Sequence, residues 1–233
     1  MGIYMKLNVI LSSSRGVTQT DWLKSFHSFN FNNYYSPRRD GFGSLVVLNE
    51  DFVAAHKGFG MHGHADMEIV TVVLSGALSH TDSTGGKGEV KFGEVQAMSA
   101  GTGVRHSEMN AGDDEVHLFQ IWIMPATSGI KPSYRQKKFD MTELDLEEGK
   151  FVELAGGKSG LAIHQDACVM FGRFDLEVIF IDVAVGRGKY VHVISGSLLI
   201  GDLRLGAGDA VELNEGVLVD TQGCELLVID VKI

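Results

Sequence analysis

The chain has 233 residues, a length that allows one or two domains. Its formal net charge is −10, so direct binding to nucleic acid is not expected, because the phosphates repel an acidic protein. Two cysteines are too few for a disulfide scaffold. No apolar run is long enough to cross a membrane, and the first residues do not resemble a signal peptide. We therefore expect a folded cytoplasmic protein without a membrane partner.

Short apolar segments, separated by turns that are mostly glycine-rich, fill the first half of the chain. They predict strands at 5–11, 44–48, 67–75, 77–81, 90–92, 95–99 and 116–124. The aromatic-rich stretch 22–35 has little periodicity, and we expect it to be a loop packed over a barrel. Short strands at even spacing predict an antiparallel barrel or jelly roll.

The second half of the chain repeats the pattern of the first. Residues 190–198 echo residues 70–78, and each segment contains a Ser-Gly break at the same place. A segment with two prolines, 125–132, separates the halves. The sequence therefore predicts an all-β protein of two tandem jelly-roll β-barrels, the first at 1–130 and the second at 131–233.

Two segments of the first half each carry a pair of potential metal ligands separated by one residue. His62 and His64 form one pair, and His106 and Glu108 form the other. Residues i and i+2 of a strand point to the same face, so two facing strands would direct all four donors to one point. Three imidazoles and one carboxylate suit a divalent transition metal and leave two octahedral positions open. The alternative is four unrelated polar side chains on exposed strands.

The second half offers no comparable set of ligands. Counting from the matched glycines gives these counterparts of the four candidate ligands: Asp182, Ala184, Val219 and Thr221. Only Asp182 is a good ligand. We therefore predict that the second barrel is degenerate and that the metal site belongs to the first.

The motifs resemble the pirin family, whose members are bicupins. The resemblance rests on His62-Gly-His64, on residues 96–108 and on residues 120–125, which are similar to the shorter bacterial quercetin 2,3-dioxygenase branch. It covers most of residues 1–140 and is weaker across 141–233. One departure is Gly63, where the family usually has proline. Glycine leaves the first ligand pair less rigid.

The resemblance implies a single metal ion held by His62, His64, His106 and Glu108. Fe²⁺ is the first choice, and the donors also admit Mn, Co, Ni, Cu or Zn. The implied reaction is the opening of a flavonol, or a related enolic aromatic ring, by dioxygen, with Glu108 as the catalytic base for the substrate hydroxyl. The implied partner is a small aromatic substrate. The alternative is a non-catalytic, iron-binding, redox-sensing regulatory protein with a protein partner.

Other polar residues have weaker roles in these predictions. Metal-bound imidazoles usually donate their second N–H to a nearby acceptor, and three side chains are candidates for this: Asp66, Glu68 and Gln96. Four further histidines are expected to be structural: His27, His80, His117 and His192.

Overall fold

The structure is a computed structural model that describes residues 7–139 and 151–233. Within these ranges the only helical element is a 3₁₀ turn, Ser12–Ser14. The strands are β1 (Asn8–Ile10), β2 (Gly16–Gln19), β3 (Leu23–His27), β4 (Leu45–Val53), β5 (Gly58–His64), β6 (Glu68–Ser75), β7 (Ala77–Asp82), β8 (Lys87–Lys91), β9 (Glu94–Ser99), β10 (Val104–Met109), β11 (Val116–Ile123), β12 (Ser133–Lys138), β13 (Val152–Gly156), β14 (Ala167–Phe174), β15 (Val178–Ile181), β16 (Arg187–Ser195), β17 (Ser197–Ile200), β18 (Leu203–Gly206), β19 (Ala210–Leu213), β20 (Val217–Thr221) and β21 (Cys224–Lys232). The predicted all-β class is confirmed.

Each barrel is formed by a large sheet and a smaller one. In the first barrel the large sheet has the order β12-β9-β6-β11-β4-β3-β2, and the smaller sheet has the order β5-β10-β7-β8. In the second barrel the orders are β1-β19-β16-β21-β14-β13 and β15-β20-β17-β18. The strand pairs are antiparallel, as a jelly roll requires. The predicted arrangement of two tandem cupin barrels is confirmed.

Two strands pair with the barrel that lies on the other side of the predicted boundary at residue 130. Strand β1 pairs with β19 of the second barrel, where Ile10 lies opposite Ala210. Strand β12 pairs with β9 of the first barrel, where Ser133 lies opposite Ser99. The division into 1–130 and 131–233 therefore stays a prediction, and the large sheets exchange strands across it.

The aromatic-rich stretch 22–35 is not only a loop, which corrects our expectation. Strand β3 lies within it and pairs with β4. Its inward residues are Leu23, Ser25 and His27, all buried, while Lys24 is exposed. Two of the three inward side chains are polar, so the apolar alternation that identifies a strand is missing from the sequence.

A shared hydrophobic core joins the two barrels. Phe29 and Val70 of the first barrel belong to the same buried cluster as Tyr190 and Leu227 of the second. The rings of Phe29 and Tyr190 lie 5.4 Å apart. Full burial of each such side chain contributes roughly 1.5–3 kcal/mol, so this core holds the barrels together.

No helix in the described ranges is long and apolar enough to span a membrane.

Candidate metal centre and substrate cavity

Strands β5 and β10 bring three histidines together. They pair antiparallel, with His106 opposite His62 and Val104 opposite His64. One ring nitrogen from each of the three histidines lies within 4.8 Å of those of the other two. The Nε2 atoms of His62 and His106 are 3.0 Å apart. The paired strands therefore produce the convergence that the i, i+2 spacing predicts.

The geometry of these imidazoles fits a divalent transition metal. Two nitrogens that bind one ion at about 2.1 Å and at right angles lie about 3.0 Å apart, as the two Nε2 atoms do. His62 Nδ1 donates a hydrogen bond to the carbonyl oxygen of Gly60 over 2.8 Å. This bond places the proton on Nδ1 and leaves the Nε2 lone pair free to bind a metal.

Burial keeps two of the three imidazoles neutral, which is the form that binds metals. Burial, with a smaller contribution from the charge of His62, lowers the pKa of His64 to about 4. It lowers the pKa of His106 to about 3, again with help from the neighbouring His62. Neither ring has to release a proton at neutral pH before it can bind an ion.

Glu108 lies at the inner side of this cluster, with its carboxylate held by two carboxamides. Gln96 Nε2 donates to Oε1 over 2.5 Å, and Gln120 Nε2 donates to Oε2 over 2.9 Å. Burial raises the pKa of Glu108 to about 7, while the hydrogen bond from Gln96 lowers it and the charge of Asp51 raises it. A carboxyl group with this pKa can accept or release a proton near neutral pH.

Among the described residues, two groups of three side chains could hold an ion, and they share one histidine. The first is His62, His64 and His106, and the second is His80, His106 and Glu108. Glu108 therefore joins the second group and not the three-histidine group at the same spacing. Its predicted roles as fourth ligand and as base stay predictions.

His80 is closer to the site than we expected of a structural histidine. It is buried, its Nε2 lies 3.0 Å from Asp82 Oδ2, and its ring stacks on Tyr134 at 4.5 Å. In the register of β7 and β10, it lies opposite Glu108. The sequence signal was the His80-Thr-Asp82 alternation, which matches the spacing of the two predicted ligand pairs.

The predicted partners of the imidazole N–H groups bind elsewhere. Gln96 holds Glu108, and Asp66 Oδ1 accepts from the Gly129 N–H over 2.6 Å. Glu68 Oε2 accepts from the hydroxyl of Ser99 over 2.8 Å. The acceptor that orients His62 is a backbone carbonyl, which residue types in a sequence do not reveal.

The three histidines line a cavity of about 240 Å³. This volume is slightly below the roughly 300–1,000 Å³ of ordinary ligand pockets, so a compact ligand is expected. One part of the wall is apolar, with Phe31, Phe59, Ile69 and Trp122. The cavity can therefore take up a small aromatic molecule next to the candidate metal ligands.

Another part of the cavity wall is polar, and we did not predict it from the sequence. It consists of Ser25, His27, Asn49 and Asp51 from β3 and β4. Burial raises the pKa of Asp51 to about 6, and the Ser25 hydroxyl opposes this shift. The carboxyl group of Asp51 therefore titrates closer to neutral pH than that of an exposed aspartate.

The second barrel has aliphatic side chains where the first has histidines. In the pairing of β15 with β20, Ile179 lies opposite Val219 and Ile181 opposite Val217. By this register the counterparts of His62 and His64 are Ile179 and Ile181, not Asp182 and Ala184 as we predicted. The error comes from counting, because β16 and the loop before it are longer than β6 and its loop.

Comparison with known proteins identifies the family. Residues 10–123 match the Pirin family model, and residues 152–231 match the model of the quercetinase C-terminal cupin domain. The chain belongs to the pirin family. Our prediction from the sequence is confirmed, including for the second half, where the resemblance was weaker.

Relatives within this family match along most of their length. A quercetin 2,3-dioxygenase of Escherichia coli K12 is 40% identical over 206 residues, covering 87% of either chain. A pirin-like protein of Caulobacter vibrioides is 38% identical over 217 residues, covering 90% of this chain and 92% of that one. The bacterial pirin YhhW of Escherichia coli, solved in complex with nickel(II), is 34% identical with a TM-score of 0.89, covering 97% of this chain and 99% of that one.

Proposed function

We propose that this pirin-family protein is a metal-dependent dioxygenase of the quercetinase type. Its substrate is a flavonol or a related enolic aromatic, whose ring is opened with dioxygen. The observation that carries the proposal is a cavity with one apolar wall, lined also by three converging imidazoles. A related protein named quercetin 2,3-dioxygenase supports the same reaction. A cytoplasmic location is part of this proposal.

We propose Fe²⁺ as the ion, with His62, His64, His106 and Glu108 as its ligands. The imidazole-rich donor set admits Fe²⁺ and equally Mn, Co, Ni, Cu or Zn. The nickel(II) complex of the related YhhW supports a divalent transition metal without selecting iron.

The protein's own residues would position the substrate and move its proton. A bound divalent ion supplies Lewis acidity that favours the ionised enol and a place where substrate and dioxygen meet. The walls formed by Phe31, Phe59 and Trp122 orient the aromatic rings and exclude water. Glu108, held between Gln96 and Gln120, accepts the proton of the enolic hydroxyl. In the metal-free chain burial raises its pKa to about 7, which suits this role when the carboxylate is not bound to the ion.

The test is oxygen-dependent loss of quercetin absorbance by protein loaded with ferrous iron, with carbon monoxide measured in the headspace. We expect turnover in the wild type and none in His106→Ala. His56→Ala is the matched control, because His56 is an exposed histidine that pairs with Asp113 on the surface. Iron binding without turnover would contradict the dioxygenase and favour the redox-sensing regulatory protein.

A further inference from the structure

The polar wall of the cavity is built by two neighbouring strands of the large sheet. In the pairing of β3 with β4, Ser25 lies opposite Asp51 and His27 lies opposite Asn49. All four side chains line the cavity, and each is at most 4% exposed. Burying polar groups is costly unless they are hydrogen-bonded, so each of them needs a partner.

Most of this hydrogen-bonding capacity is satisfied within the wall. Nδ1 of His27 lies 2.8 Å from Oδ1 of Asn49, which can only accept, so the proton of the ring is on Nδ1. Nε2 of His27 then accepts from the hydroxyl of Thr18 over 2.8 Å. These bonds fix the imidazole and the carboxamide in place and leave neither ring nitrogen of His27 free.

Asp51 differs from its neighbours, because its Oδ1 has no hydrogen-bond partner among the described residues. The guanidinium of Arg15, a nearby cation, pairs with Glu50 and not with Asp51. Arg15 Nη1 binds Glu50 Oε2 over 2.7 Å, and successive residues of a strand point to opposite faces. The wall thus presents a buried carboxylate oxygen without a donor, and a ligand in the cavity is the natural source of one.

The side of the cavity that carries the three histidines and the polar wall belong to different sheets. The three histidines come from β5 and β10 of the small sheet, and Asp51 comes from β4 of the large sheet. A ligand in the cavity therefore lies between them, with one group at the imidazoles and another at Asp51.

We propose that Asp51, supported by Ser25, is a subsite that accepts a hydrogen bond from a second hydroxyl of the substrate. The inference rests on the proposed function and narrows its substrate class. The preferred substrate is a polyphenol that carries, besides its metal-binding enol, a hydroxyl able to reach Asp51. An aromatic enol without such a hydroxyl leaves the buried carboxylate without a partner.

The test compares two probes, quercetin and 3-hydroxyflavone, which keeps the enol and lacks the other hydroxyls. Binding to the ferrous protein is measured without oxygen by quenching of tryptophan fluorescence, because Trp122 lines the cavity. A hydrogen bond to a charged group is worth about 1.5–3 kcal/mol, and one to a neutral acceptor, which asparagine still offers, about 0.5–1.5 kcal/mol. The difference of about 1–1.5 kcal/mol corresponds to roughly 5- to 12-fold in affinity. We expect Asp51→Asn to weaken quercetin binding by about this factor and to change 3-hydroxyflavone binding less than about twofold.

The matched control is Glu50→Gln. It makes the same chemical change in an adjacent buried carboxylate that binds Arg15 and does not line the cavity. It should leave the ratio of the two affinities unchanged. If Asp51→Asn does not fold, Ser25→Ala serves instead, with a smaller loss that is again selective for quercetin.

If Asp51→Asn changes the affinities for both probes equally, or changes neither, the subsite is overturned. Equal changes together with quercetin turnover would overturn the subsite and leave the dioxygenase intact. A selective loss of quercetin binding without any turnover would support the subsite and contradict the dioxygenase. Failure of the wild type to bind quercetin would overturn the subsite.

Discussion

The two barrels share one architecture and differ in what their strands place inside. In the first, His62 lies opposite His106 on β5 and β10. At the same place in the second, Ile179 lies opposite Val219 and packs into a hydrophobic cluster. The same strand pair therefore serves as a candidate metal centre in one barrel and as hydrophobic core in the other. The difference lies in a few inward side chains, not in the backbone fold.

The largest expected effect comes from removing a histidine of the first barrel. His106→Ala deletes a donor from both candidate groups of ligands, so tight metal binding should be lost. The metal content per chain, measured after dialysis against a weak chelator, gives the result. Full retention of the ion would place the metal site elsewhere.

The equivalent change in the second barrel should affect stability and not metal. Val219→Ala removes methyl groups from a fully buried position, and we expect a loss of roughly 2 kcal/mol. Chemical denaturation of the metal-free protein measures this loss, and metal content should equal that of the wild type. Loss of the ion from Val219→Ala would contradict the assignment of the metal centre to the first barrel alone.

A smaller effect concerns His192, which lies where the barrels meet, 5.1 Å from the ring of Phe119. Burial, with a smaller contribution from the charge of Arg15, lowers the pKa of His192 to about 3. The unfolded chain takes up a proton below about pH 6.5, and the folded chain does not. The contribution of His192 to stability is therefore complete above pH 6.5 and falls as the pH decreases toward 3.

Comparison of the wild type with His192→Leu isolates this contribution from the other titrating groups. Between pH 6.5 and 4.5 the variant should lose less stability than the wild type, as measured by denaturant unfolding of metal-free protein. Glu50 takes up its proton below most of this range, because its ordinary pKa is about 4.5 and, despite burial, its contacts lower that pKa to about 2 in the folded chain. Parallel pH profiles would show that His192 is not buried as a neutral ring.

The smallest effect is expected from Gly63→Pro, which restores the residue usual in the family. Gly63 lies on β5, an edge strand, where proline is tolerated. A Cβ atom there would meet its nearest neighbours at 3.8 Å, an ordinary contact. We expect metal affinity to be preserved or modestly increased in a competition titration. A marked loss would mean that this ligand strand has diverged from its relatives.

The sequence predicted what depends on local periodicity. Short apolar segments between turns identified seven strands of the first half, and the i, i+2 spacing identified the histidines that converge. The same reasoning missed β3, because Ser25 and His27 are polar residues at inward positions. The polar wall of the cavity was missed for the same reason.

The remaining differences arise from contacts between strands that are distant in the chain. The loop after β15 and strand β16 are longer than their counterparts in the first barrel. Counting back from the matched glycine therefore gave the wrong counterparts of His62 and His64, which the register of β15 and β20 identifies. The hydrogen bonds from Gln96 and Gln120 to Glu108 connect strands of two different sheets. No spacing within one segment predicts such a contact.

The most direct test of the central claim is X-ray absorption spectroscopy of the protein loaded with one ferrous ion, recorded without oxygen before and after addition of quercetin. We predict three imidazole ligands in the free protein and a changed coordination shell when quercetin is added. Fewer than three imidazoles would contradict the assignment of His62, His64 and His106. A spectrum unchanged by saturating quercetin would contradict a substrate cavity that ends on the metal.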